Sequence, residues 1–269
     1  MKLEGIIFDV DGTIADTEDI HRQAFNKAFS EFNLNWHWSK EKYHELLFIS
    51  GGKERITKCL AENKTIKKNF ADYSIAFVEE LHNCKSEYYR SILINSDIKL
   101  RPGIQRIITE AKENNIKIGI ATNSSTENLT TLIKKTLNIK PEELFNTIIT
   151  SNIVIDKKPS PEVYYRALKD LKLPANECIA IEDTANGNNS AIKAGLRTII
   201  TTHAYTVDNN FNGASLVLNN LGEPNNRFHV DKNFHCKKNY VDIELLNTII
   251  INENDFLLKQ KYQKIGERI

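Results

Sequence analysis

From Ile98 onward the chain alternates short apolar runs with stretches of helical period, and this alternation constrains its fold more than any other feature. Parallel strands need a long crossover, usually a helix, so the repetition predicts a parallel sheet covered on both faces. Ile104, Ile107, Ile108 and Ala111 recur at i, i+3, i+4 and i+7 after Pro102, which suits a helix start. Ile116, Ile118 and Ile120 alternate as a strand does, up to Ala121-Thr122-Asn123. Ser124 and Ser125 offer caps for a helix carrying Leu129, Leu132, Ile133 and Leu137. Phe145 to Ser151 reads as the next strand, Ser160 and Pro161 open a helix through Leu171, and Cys178 to Glu182 is a strand again. Gly195 ends the following helix, which leads to Thr198-Ile199-Ile200. The expectation is an α/β fold with a doubly wound parallel sheet, its ligands gathered at the carboxyl ends of the strands.

A strand of the same kind opens the chain. Ile6, Ile7 and Phe8 form a short apolar run, and Asp9 and Asp11 stand where it should end. Strand side chains two apart point the same way, so both carboxylates can converge on one ligand while Val10 packs inward. Between this strand and the alternating region, from about Thr17 to Asn95, no convincing strand is visible. Phe25, Ala28, Phe29 and Phe32 recur at helical spacing, and Ser39 reads as an N-cap for a run ending at Phe48. Ser50-Gly51-Gly52 interrupts, Lys53 to Leu60 can restart a helix, and Ile75, Val78, Leu81 and Tyr88 carry a helical pattern to about Ile94. The chain thus divides into a core, residues 1–16 and 97–269, and a helical-bundle insertion, residues 17–96. A length of 269 residues suits one large domain with an insertion. The tail differs from the rest. Glu223-Pro224-Asn225-Asn226 reads as a turn, and the stretch to Lys238 is polar and irregular. Val241 to Ile251 is apolar enough to dock on the core as strand or helix, and Lys259 to Ile269 reads as a solvated end.

Charge and cysteine usage remove several classes of function. A formal net charge of +1 gives no overall basic face for nucleic acid or a membrane surface, and no stretch has the length of a membrane helix. Cys59, Cys84, Cys178 and Cys236 are far apart and form no C-x-x-C, so neither a zinc ribbon nor a disulfide scaffold is indicated. A cytoplasmic setting fits, with the plastid stroma as the alternative for a mature form. His229, His235 and Cys236 lack a standard ligand spacing and read as surface residues.

Three further stretches carry chemistry at predicted strand ends. Thr122 precedes a helix start, where its hydroxyl and free N–H groups, including that of Asn123, can cradle a phosphate. In Lys157-Lys158-Pro159-Ser160-Pro161-Glu162 a lysine ahead of a helix can offset negative charge on a nucleophile and a phosphoryl group. Glu182 and Asp183 follow an apolar strand, and acidic oxygen ligands of this kind suit Mg²⁺.

Taken in order, D-x-D-G-T at Asp9, the strand-end Thr122, K-P-x-P-[DE] at Lys158 and E-D-[ST]-x-x-G at Glu182 resemble the four motifs of the haloacid dehalogenase superfamily. The resemblance implies a Mg²⁺-dependent phosphotransferase in which Asp9 attacks phosphorus and Asp11 acts as acid and then base. It points to Lys158 rather than Lys157 as the charge-offsetting lysine, and to Mg²⁺ held by Asp9, the backbone carbonyl of Asp11 and Asp183. Glu182 is then a water-mediated ligand or a support, and the helical insertion matches the family's cap.

The string from His21 to Ile56 is similar more specifically to the CbbY group, through Trp36, Trp38, the Tyr43-to-Leu47 run and Gly51-Gly52-Lys53-Glu54-Arg55. Tyr205-Thr206 and Phe211-x-Gly213-Ala214 also fit that group. The implied activity removes a phosphate from a sugar bisphosphate, xylulose 1,5-bisphosphate, an inhibitor of Rubisco, giving xylulose 5-phosphate. Arg22, Lys53 and Arg55 are the candidates to hold the second phosphate, while Glu18 and His21 could share a helix face and contact sugar hydroxyls. Trp36 and Trp38 read as core rather than a substrate platform. The expected partner is a small phosphorylated sugar, bound by a monomer. Alternatives are a β-phosphoglucomutase-type isomerase, another small-substrate phosphatase such as phosphoglycolate phosphatase, and a catalytically silent binding protein. Retention of Asp9, Asp11, Lys158 and Asp183 counts against the last.

Overall fold

A computed structural model describes residues 2–62 and 75–251. Lys259 to Ile269, expected to be solvated, lie outside the described residues. Six strands, β1 (Gly5–Phe8), β2 (Lys117–Ala121), β3 (Thr147–Ile149), β4 (Cys178–Glu182), β5 (Arg197–Thr201) and β6 (Leu216–Leu218), form one sheet in the order β3-β2-β1-β4-β5-β6. Every neighbouring pair is parallel. The chain winds outward from β1 through β2 to β3, then returns to β4 on the other side of β1. The strand order therefore reverses between β1 and β4, where an open α/β sheet forms its ligand crevice.

Burial follows the two-residue period of the strands. Ile6 and Phe8 pack on one face with Ile118, Ile120, Ile179 and Ile181, whereas Ile7 packs on the other with Ala121, Ala180 and Val163. Helices α5 (Ile104–Glu113), α6 (Thr126–Leu137), α7 (Pro141–Leu144), α8 (Glu162–Leu171) and α9 (Ala185–Lys193) connect and cover the strands. Ser125 caps α6 by accepting the Asn128 N–H, and Thr184 caps α9 by accepting that of Gly187. The helix after Pro102 begins two residues later than its proline suggests, because Gly103 stands at the N-cap with φ +86°. β3 is shorter than Phe145 to Ser151, and neither β6 nor α7 was expected from the sequence.

Between β1 and β2 the described helices are α1 (Glu18–Glu31), α2 (Lys40–Leu47), α3 (Gly52–Glu62) and α4 (Ile75–Asn95), followed by α5. The first four share an apolar cluster of their own, including Phe25, Phe29, Trp38, Tyr43, Leu46, Ile56 and Leu81. Trp38 is buried with its ring centroid 4.5 Å from that of Phe25, and Trp36 lies edge-on to Phe29 at 5.2 Å, so both tryptophans pack with this cluster. Contacts that fasten these helices over the strand tips include Lys157 Nζ to Glu54 (2.6 Å), Asn123 Nδ2 to Ser50 Oγ (2.8 Å) and Tyr205 OH to Asp19 (3.0 Å).

The tail resolves into a helix. α10 (Ile243–Ile251) buries Leu246, Ile249 and Ile250 at i, i+3 and i+4 against the main core, and Asn247 Oδ1 accepts the Leu3 N–H at 2.9 Å. Arg106 of α5 holds the start of this tail, donating to Gly222 O (2.8 Å), Val241 O (2.7 Å) and Glu223 Oε2 (3.0 Å). Glu223 and Asn226 exchange backbone hydrogen bonds of 2.8 and 3.0 Å, closing the expected turn. His229 and His235 are exposed. Among the described residues no helix is long and apolar enough to cross a membrane.

Candidate active site

β1 ends at Phe8 and β4 at Glu182, and their register pairs Phe8 with Ile181. Asp9, whose N–H donates to Ile181 O at 2.9 Å, therefore stands level with Glu182 and Asp183. Asp9, Glu182 and Asp183 are buried, and each offers a carboxylate oxygen within 4.8 Å of the others. Like charges so close in a dry site repel. Lys158 answers part of that charge: its Nζ donates to Asp9 Oδ1 at 2.6 Å and also to Glu182 Oε1. Tyr164 OH donates to the same Glu182 oxygen at 2.6 Å. Burial, reinforced by Glu182 and Asp183, pushes the Asp9 carboxyl well above its usual range, although Lys158 opposes the shift. Burial likewise raises Asp183 to about 6, against the stabilising contact of His203. Burial disfavours the charge on Lys158, but Asp9 and Glu182 outweigh it and keep the ammonium protonated.

Two glycines are required by this packing. Gly12 has φ +84°, and a Cβ there would lie 2.3 Å from Asp183 Oδ2. A Cβ on Gly187 would lie 1.9 Å from Glu182 Oε2. The D-x-D-G and E-D-T-x-x-G spacings thus let backbone approach the acidic pair.

Asp11 is held apart from the three-carboxylate cluster. Its Oδ1 accepts from Thr17 Oγ1 (2.6 Å), His21 Nε2 (3.0 Å) and Tyr89 OH (3.3 Å). Burial opposes its ionisation, but His21, together with hydrogen bonds from Thr17 and Ser124, holds the carboxyl well below its usual value. Burial and Lys85 push His21 itself down, while the Asp11 carboxylate opposes that shift. Lys85 Nζ lies 2.7 Å from His21 Nδ1 and donates to it, which leaves the ring hydrogen on Nε2 for Asp11. Burial lowers the Lys85 ammonium to about 7, and the His21 ring stacks on Tyr89 at 4.0 Å.

These groups open into a cavity of 660 Å³ between the strand tips and the helical insertion. Asp9, Asp11, Thr122, Asn123, Lys158 and Asp183 line its core side; Glu18, His21, Lys53 and Arg55 line the other. Thr122 is buried and accepts the Ser124 N–H at 3.1 Å. Asn123 Oδ1 accepts the Lys158 N–H at 3.2 Å, so this residue braces the lysine loop. Glu18 accepts from Tyr43 OH at 2.9 Å. Arg55 donates to Leu46 O (3.1 Å) and Ile49 O (3.0 Å), and Lys53 pairs with Glu79 at 3.0 Å. Arg22 is a correction: it does not line the cavity. One position beyond His21 is about 100° round the helix, and Arg22 there pairs with Asp19 (2.8 Å) and donates to Trp38 O (3.1 Å).

Sequence reasoning missed Lys85, Tyr164 and His203. Lys85 carried a legible signal, since it interrupts the buried stripe Leu81, Lys85, Tyr89 at four-residue spacing. Tyr164 sits within an apolar stripe of α8, and its hydroxyl partner is not visible from spacing. His203 approaches Asp183 only through the pairing of β4 with β5.

The three buried oxygen donors, incompletely neutralised by one lysine, fit a hard divalent cation. The family described as haloacid dehalogenase-like hydrolase matches residues 6–201. The chain is 38% identical over 221 residues to Protein CbbY of Cereibacter sphaeroides, covering 82% of this chain and 94% of that one. It is 40% identical over 214 residues to Protein CbbY of Rhodobacter capsulatus, covering 80% and 92%. A crystal structure of mutant CbbY from Rhodobacter sphaeroides in complex with xylulose 1,5-bisphosphate superposes with a TM-score of 0.76 at 37% identity, over 81% of this chain and 94% of that chain. With a matching family, matching relatives and an α/β architecture shared with solved CbbY, the chain belongs to the haloacid dehalogenase-like hydrolases, in their CbbY group, and is a phosphoric monoester hydrolase.

Proposed function

We propose that this chain is a Mg²⁺-dependent sugar-bisphosphate phosphatase converting xylulose 1,5-bisphosphate to xylulose 5-phosphate through an aspartyl phosphate on Asp9. The observation that carries the reading is the cavity itself: a lysine-paired carboxylate at its floor and the basic residues Lys53 and Arg55 in its opposite wall. A bisphosphate needs both ends, one to react and one to be held. The bisphosphate bound by the solved relative supports the same substrate. Arg22 is not among the residues proposed to hold it.

In this mechanism an Asp9 carboxylate oxygen attacks phosphorus and the ester P–O bond breaks. Lys158, the Thr122 hydroxyl and the N–H of Asn123 steady the transferring group. Asp11 gives a proton to the leaving oxygen and later takes one from the water that hydrolyses the acyl phosphate. Because His21 holds Asp11 ionised, the acid role requires Asp11 to be protonated as substrate displaces that contact. Asp9, Asp183 and the Asp11 backbone carbonyl would hold Mg²⁺, whose charge supplies neutralisation of phosphate oxygens. Glu182, occupied by Lys158 and Tyr164, supports that site by fixing the lysine.

The test is phosphate release with Mg²⁺ from xylulose 1,5-bisphosphate beside ribulose 1,5-bisphosphate, phosphoglycolate and β-glucose 1-phosphate, with Asp9→Asn as blank. The expected result is rapid release from the first substrate over the others. Equal rates throughout, or isomerisation of the hexose phosphate without net phosphate, would overturn the substrate assignment.

A further inference from the structure

Tyr205-Thr206 lies in a loop that links Asp183 to α1. β5 ends at Thr201, and the chain then folds back on itself. His203 O accepts from the N–H groups of Thr206 (2.9 Å) and Val207 (3.0 Å), while Thr206 Oγ1 accepts the His203 N–H at 3.1 Å. The backbone of His203 is thereby fastened on both sides. Its side chain is only 4% exposed, and Nε2 lies 2.9 Å from Asp183 Oδ2. Nδ1 accepts the Tyr205 N–H at 3.3 Å, so the ring hydrogen sits on Nε2 and is donated to Asp183. The ring also presses on the first motif, since a Cβ at Gly12 would lie 2.6 Å from Nε2. On the far side of the loop Tyr205 stands edge-on to Tyr43 at 5.7 Å and donates to Asp19 at 3.0 Å.

We propose that His203 is a positioning residue, which holds the Asp183 carboxylate in one orientation and so sets how tightly the site takes a divalent cation. A carboxylate free to rotate must lose that freedom when it binds metal, and a hydrogen bond already in place removes much of the cost. The inference rests on the reading of Asp183 as a metal-holding residue.

The probe is Mn²⁺, titrated into the substrate-free protein with free ion followed by electron paramagnetic resonance. Asp183→Asn is the reference, and metal-free thermal unfolding checks each variant. His203→Gln keeps an N–H near the position of Nε2, whereas His203→Asn is too short to reach Asp183. Expected is a loss of Mn²⁺ affinity of about 10–100-fold in His203→Asn, largely restored in His203→Gln. If His203→Asn loses its fold, Thr206→Val carries the comparison, since it removes the hydroxyl that accepts the His203 N–H and so loosens the hold on Asp183 without deleting the ring. Weakened Mn²⁺ binding there supports the proposal. His203→Asn, or in that case Thr206→Val, binding Mn²⁺ as tightly as wild type while Asp183→Asn does not would overturn it and leave the metal reading intact. Equal binding by wild type and Asp183→Asn would overturn both.

Discussion

At the scale of single residues, Lys158 carries the largest electrostatic burden. It is the ammonium between the buried carboxylates of Asp9 and Glu182. Lys158→Met should reduce kcat by about 10²–10³-fold, since it removes a preplaced charge from the reacting phosphoryl group. It should also destabilise the fold by about 3–5 kcal/mol near neutral pH, because two buried acids lose their partner. Urea unfolding at pH 8 and pH 5 checks the sign: the loss shrinks at the lower pH, where protonated carboxyls need no cation. Asp9, Glu182 and Asp183 were legible because acids at the ends of apolar strands have few structural reasons to be there, whereas Lys158 was distinguished from Lys157 only by the family resemblance. Arg22 was misplaced because adjacent helix positions face different ways, and composition carries no record of that rotation. His203 could not be found without the sheet, since its partner lies twenty residues earlier.

At the scale of elements, α10 shows why the tail resisted a sequence reading. Ile249, Ile250 and Ile251 form an unbroken apolar run that suits a strand as well as a helix. Packing decides between them: Leu246, Ile249 and Ile250 reach the main cluster together only at helical period. Leu246→Ala should cost about 2–5 kcal/mol in urea unfolding, with phosphatase activity unchanged below the transition. A cost near zero would mean that α10 contributes little to the core. The strands β2, β4 and β5 were legible from alternation and flanking turns, whereas β6 is only three residues long and offers too little pattern to register. Helices α1 and α4 were visible through apolar residues at helical spacing and α3 as a restart after Ser50-Gly51-Gly52, and Ser39 caps α2 as its position suggested.

On the scale of the whole molecule, folding buries a cluster of acids, so stability, metal binding and pH are linked. Asp183 has a folded-state pKa of about 6 against an ordinary value of 3.8. For this group the folded state binds more protons between those values. Its contribution is therefore full below the lower value and lost as pH rises through the higher one. A divalent cation takes over from the proton. Mg²⁺ at a hundred times its dissociation constant should stabilise the protein by about 3 kcal/mol at pH 8, and the gain should shrink below about pH 6 as protons compete for Asp183. Thermal unfolding with and without Mg²⁺ at both pH values measures it. An equal shift at pH 5 and pH 8 would contradict the linkage. The central claim is that phosphorus passes through Asp9, and rapid acid quenching of wild type mixed with xylulose 1,5-bisphosphate and Mg²⁺, followed by peptide mass spectrometry, tests it most directly. The account predicts a transient phosphoryl group on Asp9 that decays as free phosphate appears; steady phosphate release by Asp9→Asn, with no phosphorylated Asp9 in wild type, would contradict it.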